Sequence, residues 1–142
     1  MSFNLAIVFA AIFYGLFNYF MKLASGKISS ELGSFLLEGI AAILILTYMM
    51  ILKMNGWQAK WTQEGVIYSL LSGVFVAVST ILYFVVFRNG GKLSIAGPMI
   101  LLGGTIVMVL IGIFILKEQV TILNIFGLAL GIASLYLLQL SK

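Results

Sequence analysis

Five long apolar runs alternate along the chain with short stretches where most of the charged residues collect. The runs cover about 3–23, 32–52, 65–87, 94–116 and 122–140. An α-helix rising 1.5 Å per residue needs about 20 residues to cross a hydrocarbon core of about 30 Å. The pattern therefore predicts an all-α, multi-pass membrane protein, a bundle of five transmembrane helices forming one domain over 1–142. The boundaries are clearest from Tyr83 to Thr121, where Arg88-Asn-Gly-Gly-Lys92 joins two apolar runs and Lys117-Glu118 closes the second. The first run is too long for a signal-peptide core, has no basic region before it, and is read as a retained helix.

Composition agrees with this class and removes several others. Hydrophobic residues make up 63% of the chain and charged residues 8%, where soluble proteins carry about a quarter charged residues. Cysteine and histidine are absent and the four acids are all glutamates. These absences rule out a Ser-His-Asp triad, a His-containing metal site and an Asp-held magnesium site, so neither an enzyme nor a cofactor or metal is expected. Gly90-Gly91-Lys92 has the look of a P-loop ending, but Val86 stands where the first glycine belongs. The net charge of +4 fits orientation signals and contact with lipid head groups rather than nucleic acid.

Polar residues inside the runs are the informative ones. Asn4, Ala11, Asn18 and Lys22 fall on one face of the first helix, with Tyr14 beside them. An asparagine in hydrocarbon needs a partner, so Asn18 and Tyr14 point either to an interhelical hydrogen bond or to a substrate. In the second run Glu38 lies roughly two turns in. A buried acid costs about 2.5–3.5 kcal/mol at mid-membrane, while each of the eleven Leu, Ile and Phe residues from Leu32 to Leu52 returns about 0.3–0.6. The helix inserts despite the acid. Glu38 is then a candidate for proton coupling or cation binding, the plain alternative being an interfacial pair with a loop lysine.

In the third run Ser69, Ser72, Ser79, Thr80 and Tyr83 lie mostly along one stripe, either bonding a neighbouring helix or lining a pathway. Trp57 and Trp61, flanked by Lys53 and Lys60, fit an interfacial anchor, with an aromatic cage for a cation as the alternative. Pro98 is expected in the first turn of the fourth helix, where its missing N–H is harmless; an earlier start would make it a break. Gly127-Leu-Ala-Leu-Gly131, extended by Ser134, is a GxxxG element suited to close helix packing within the chain or across a dimer.

Several of these residues form an ordered set: Tyr14-Gly15, the Ala41-Ala42 step, Tyr83 through Arg88-x-Gly90 with Pro98 ten residues after the arginine, then Leu116-x-Glu118-x-x-Thr121 and Gly127. In this order and spacing, over nearly the whole chain, the sequence resembles the EamA-type repeat of the drug/metabolite transporter superfamily. Members usually carry two such five-span repeats in inverted orientation, and the resemblance implies a secondary transporter with a central cavity between halves. This chain departs in having one repeat, and in having Glu38 where many relatives carry a basic residue.

An odd number of crossings puts the two ends on opposite sides, so two antiparallel copies would rebuild the inverted pair of an alternating-access transporter. With the N-terminus inside, the inner loops hold Lys53, Lys60 and Lys117 and the outer ones Lys22, Lys27, Arg88, Lys92 and Lys142, three against five. So weak a bias suits dual topology, while a single orientation with the N-terminus outside is the alternative. The expectation is a half-size secondary transporter in the cell membrane, working as a homodimer on a small organic or cationic solute. Its cavity would be lined by Tyr14, Asn18, Glu38, Thr80, Tyr83 and Thr105. A subunit of a lipid-linked sugar flippase and a non-transporting assembly module are the other readings.

Overall fold

The computed structural model describes residues 2–140; Lys142, counted among the charges above, lies outside them. Five helices follow in order: α1 Phe3–Ala24, α2 Ser30–Met54, α3 Gln63–Arg88, α4 Leu93–Phe114 and α5 Ile122–Leu140. All five are long and apolar enough to cross a membrane, and the chain is an all-helical membrane protein.

Local chemistry sets the helix ends. The Ser29 hydroxyl accepts from the Leu32 N–H at 3.3 Å and starts α2 two residues before the expected Leu32. Thr62 does the same for α3, accepting from Gly65 N–H at 3.1 Å. Both long helices stop at Asn-Gly pairs. Gly56 and Gly90 take the left-handed conformation, with φ of 83° and 91°, which costs glycine nothing. After α2, Gly56 N–H bonds the Lys53 carbonyl at 3.1 Å and Trp57 N–H the Leu52 carbonyl at 3.0 Å, the paired bonds of a Schellman cap.

The fourth helix departs from expectation at both ends. It begins at Leu93, with Ala96 N–H bonded to the Lys92 carbonyl at 2.8 Å. Pro98 is thus the sixth residue of α4, not a first-turn residue, and the Ser94 carbonyl loses its i+4 donor. The helix nevertheless runs through it. It stops at Phe114 rather than Leu116, because Lys117 turns left-handed at φ 53° and Glu118 N–H reaches back to the Gly112 carbonyl at 2.9 Å. Thr121 opens α5 by accepting from Asn124 N–H at 3.3 Å while its hydroxyl bonds Asn124 Oδ1 at 2.6 Å.

The helices group into two compact units, divided between Gly90 and Gly91. In the first, α3 is the shared partner of α1 and α2. Its buried side chains are Asn18 and Met21 of α1, Ser30 and Ser34 of α2, and Thr80, Tyr83, Phe84 and Phe87 of α3. All lie toward the end where α1 finishes, α2 begins and α3 finishes. The far ends are different: residues 63–79 of α3 are exposed throughout, as is most of 3–16 in α1 and 40–54 in α2. Such exposed apolar surface is what lipid tails cover.

One glycine makes the packed end possible. A Cβ at Gly33 would stand 2.7 Å from Cζ of Phe84, so the ring lies directly on the α2 backbone. In the second unit α5 packs on α4, and Gly131 is the position there that meets Leu102.

Candidate functional site

The packed end of the first unit carries the polar chemistry. Thr80 and Tyr83, three residues apart on α3, share one face and each reaches a different helix. The Tyr83 hydroxyl lies 2.6 Å from that of Tyr14 on α1. The Thr80 hydroxyl lies 2.8 Å from Oε1 of Glu38 on α2 and 2.9 Å from the Val76 carbonyl. Of the six expected cavity residues, Tyr14, Glu38, Thr80 and Tyr83 therefore meet on α3, and Asn18 is buried at the same end of the unit. Thr105 belongs to the second unit, where its hydroxyl donates to the Leu101 carbonyl at 2.9 Å.

Thr80 has one proton and two acceptors within reach, which gives the pair two arrangements. With Glu38 as a carboxylate, Thr80 donates to it. With Glu38 as a carboxylic acid, the acid donates to Thr80 and Thr80 donates to Val76. Either protonation state is served without moving a heavy atom. The loop-lysine pairing considered for Glu38 is not made; among the described residues its hydrogen-bond partner is Thr80, and no cation pairs with it.

Asn18, one turn beyond Tyr14, is 5% exposed. Its Nδ2 donates to the Tyr14 carbonyl at 2.8 Å, and that bond fixes which way the amide points, because Oδ1 cannot donate to a carbonyl. Oδ1 is consequently buried with no partner, at a cost of about 1–3 kcal/mol. A turn further on, Lys22 Nζ donates to the Phe87 carbonyl at 3.1 Å and sits 5.5 Å from the centroid of its ring. A cation on the last carbonyls of α3 complements the helix dipole.

Beside this cluster an apolar cleft of about 300 Å³ opens, lined by Phe17, Met21, Gly33, Leu37 and Phe84 among others. Two wider clefts lie at the opposite end of the unit. Trp57 and Lys53 border one of about 500 Å³, and Trp61 and Lys60 one of about 550 Å³. Trp57 and Trp61 are exposed, at 42% and 77%, and stand apart from each other's cleft. In the GxxxG element, a Cβ at Gly131 would touch Leu102 at 3.8 Å, Gly127 faces open space and Ser134 is exposed. Among the described residues no three acidic side chains come together as a metal site.

Sequence reading missed Gly33 and Phe84, which set how closely α2 approaches α3. Nothing in helical periodicity pairs a glycine with an aromatic ring so far along the chain. Lys22 was placed on the right face of α1, but a bond to a backbone carbonyl leaves no sequence signal.

Neither a protein-family model nor a solved structure matches this chain. A curated relative does: the uncharacterized protein MJ1333.1 of Methanocaldococcus jannaschii is 31% identical over 133 residues, covering 93% of this chain and 92% of the relative. The chain belongs to the family of that archaeal protein. The match leaves out fewer positions of this chain than the 19 residues of its shortest helix, so it reaches all five helices. The relative's name assigns no activity.

Proposed function

We propose that the protein is a half-size secondary transporter of the EamA type, within the drug/metabolite transporter superfamily, which moves a small organic or cationic solute by alternating access as an antiparallel homodimer. The observation that carries this reading is the meeting on α3 of an acid and two tyrosines, with an asparagine whose oxygen is unfilled buried at the same end, all inside helices long and apolar enough to span a membrane. Ionisable and polar groups held at that depth mark solute and proton routes. An assembly module would have no reason to keep Asn18 Oδ1 unpartnered. The flippase alternative calls for a long apolar groove, and the apolar cleft near the cluster holds about 300 Å³.

The half-size part of the proposal draws support from the relative, 92% of whose length is matched by this single five-helix chain. The antiparallel part rests on the three-against-five distribution of basic residues. Proton coupling is assigned to the Glu38–Thr80 pair, which serves both protonation states of the acid.

Uptake into proteoliposomes tests the reading. The wild type is expected to concentrate a solute when a pH gradient is imposed, and Glu38→Gln, which keeps the shape but not the charge, loses the pH dependence. Gradient-driven uptake that survives in Glu38→Gln removes the coupling assignment. A protein locked in one orientation by added terminal lysines and still fully active removes the antiparallel dimer.

A further inference from the structure

The two wide clefts of the first unit share one plan, although they lie on different helices. In the cleft of about 500 Å³, Lys53, Trp57 and Gln58 stand at and beyond the end of α2, while Leu46, Met49 and Met50 lie one to two turns further into the helix. In the cleft of about 550 Å³, Lys60, Trp61 and Thr62 precede α3, and Val66 and Leu70 lie one and two turns inside it. Each cleft therefore grades from a basic, donor-bearing rim to an apolar floor over about 10–12 Å of helix. The rim donors are free. Backbone N–H groups of the cap take the carbonyls of Ile51, Leu52 and Lys53, so the Lys53 ammonium is not drawn into closing α2. Neither lysine ammonium and neither indole N–H has a protein partner among the described residues. Glu64, in the first turn of α3, is the acid at this end; it lines neither cleft and pairs with neither lysine. Glu31 and Glu38 belong to the opposite half of α2.

A molecule that matches such a cleft is graded in the same sense, with negative acceptor oxygens at the level of the lysine and an apolar chain below. We infer that each of the two clefts seats one anionic phospholipid, its phosphate on the lysine and indole donors and an acyl chain along the floor. Tryptophan and lysine are the side chains that meet head groups at a membrane boundary, and Met49 and Met50 supply a floor that adapts to a chain. A zwitterionic lipid brings its own ammonium to a rim that is already cationic. A soluble phosphate leaves the floor uncovered. The cleft at the packed end is the internal contrast: it holds about 300 Å³ and is lined by apolar residues alone, so it takes lipid tails without regard to the head group. The assignment does not depend on the transport reading, because a transporter and an assembly module would seat these lipids alike.

The chain has two tryptophans and each lines one cleft, so replacing either by phenylalanine leaves a fluorophore that reports a single site. The experiment places the purified full chain in phosphatidylcholine vesicles containing a rising fraction of phosphatidylglycerol brominated on its acyl chains, or of phosphatidylcholine brominated in the same way. Bromine quenches an indole it touches. Brominated phosphatidylglycerol is expected to quench each tryptophan at about fivefold lower mole fraction than brominated phosphatidylcholine, the effect of one lysine at an anionic surface. In Trp57→Phe, where Trp61 reports, Lys60→Gln removes that preference and Lys53→Gln leaves it in place. In Trp61→Phe the pattern reverses. Equal quenching by the two lipids in the wild type overturns the inference. So does an equal response of both tryptophans to either lysine substitution, which reduces the effect to diffuse surface charge. Loss of the preference when inorganic phosphate replaces chloride at constant ionic strength gives the rims to a soluble anion and overturns it too. Both lysines are exposed, and the wild-type comparison needs no substitution at all.

Discussion

In the three-helix unit polar side chains reach from one helix to another: Tyr14 to Tyr83, Thr80 to Glu38, Lys22 to the Phe87 carbonyl. In the two-helix unit they turn back on their own neighbourhood. Thr105 bonds Leu101 one turn away, and Thr121 and Asn124 bond each other. The helices of both units are apolar enough to span a bilayer, so hydropathy does not separate them. What differs is where polar groups find partners. Long-range bonds tie the relative positions of α1, α2 and α3 to the chemistry of five side chains, whereas the bonds of α4 and α5 hold whatever their neighbours do.

The sharpest contrast comes from two glycines with the same clearance. A Cβ at Gly33 would lie 2.7 Å from the Phe84 ring, and one at Gly112 would lie 2.7 Å from Glu118 Oε2. Phe84 is 3% exposed and has nowhere to go, while the Glu118 carboxylate is exposed and swings away. Both sites gain about 1 kcal/mol of helix propensity when glycine becomes alanine. Gly33→Ala is nevertheless expected to destabilise the first unit by about 1–3 kcal/mol, seen as a lower Tm in detergent. A Gly33→Ala protein as stable as wild type would break the comparison.

Tyr14→Phe comes next in size. It leaves the Tyr83 hydroxyl without its partner and costs about 1 kcal/mol, measured by the same unfolding experiment. Uptake should fall with it, because the α1–α3 contact is altered beside Asn18. Gly112→Ala follows, at under about 0.5 kcal/mol or slightly stabilising, although the residue is buried. Thr105→Val is the smallest, within about 0.5 kcal/mol, with uptake unchanged. A large loss of uptake in Thr105→Val would return that residue to the solute route and erase the distinction between the units.

Much of the fold was legible in the chain. Apolar run length gave all five helices, and Asn55-Gly56, Asn89-Gly90, Ser29 and Thr62 punctuate them by capping chemistry that depends on a few adjacent residues. The end of α4 was not legible, because Lys117 adopts a left-handed backbone that lysine rarely takes and the stop depends on Glu118 folding back. Polar residues of the site could be named from their depth in apolar runs. Their pairing could not: Tyr14 and Tyr83 are 69 positions apart and Glu38 and Thr80 are 42 apart, and helical periodicity carries no information across a loop. Thr105 shows the same limit from the other side, since a threonine in an apolar helix satisfies itself on its own backbone as readily as it faces a partner.

Burial in the first unit is confined to one end of the three helices. Rods clamped at one end bend most freely at the other, so the first half of α1 can swing like the rib of a hinge against α2 and α3, which the loop 55–62 ties together at that end. The clamp is held by two side-chain contacts, Tyr14 to Tyr83 and Glu38 to Thr80, so a small shift at either is magnified along about 20 Å of helix.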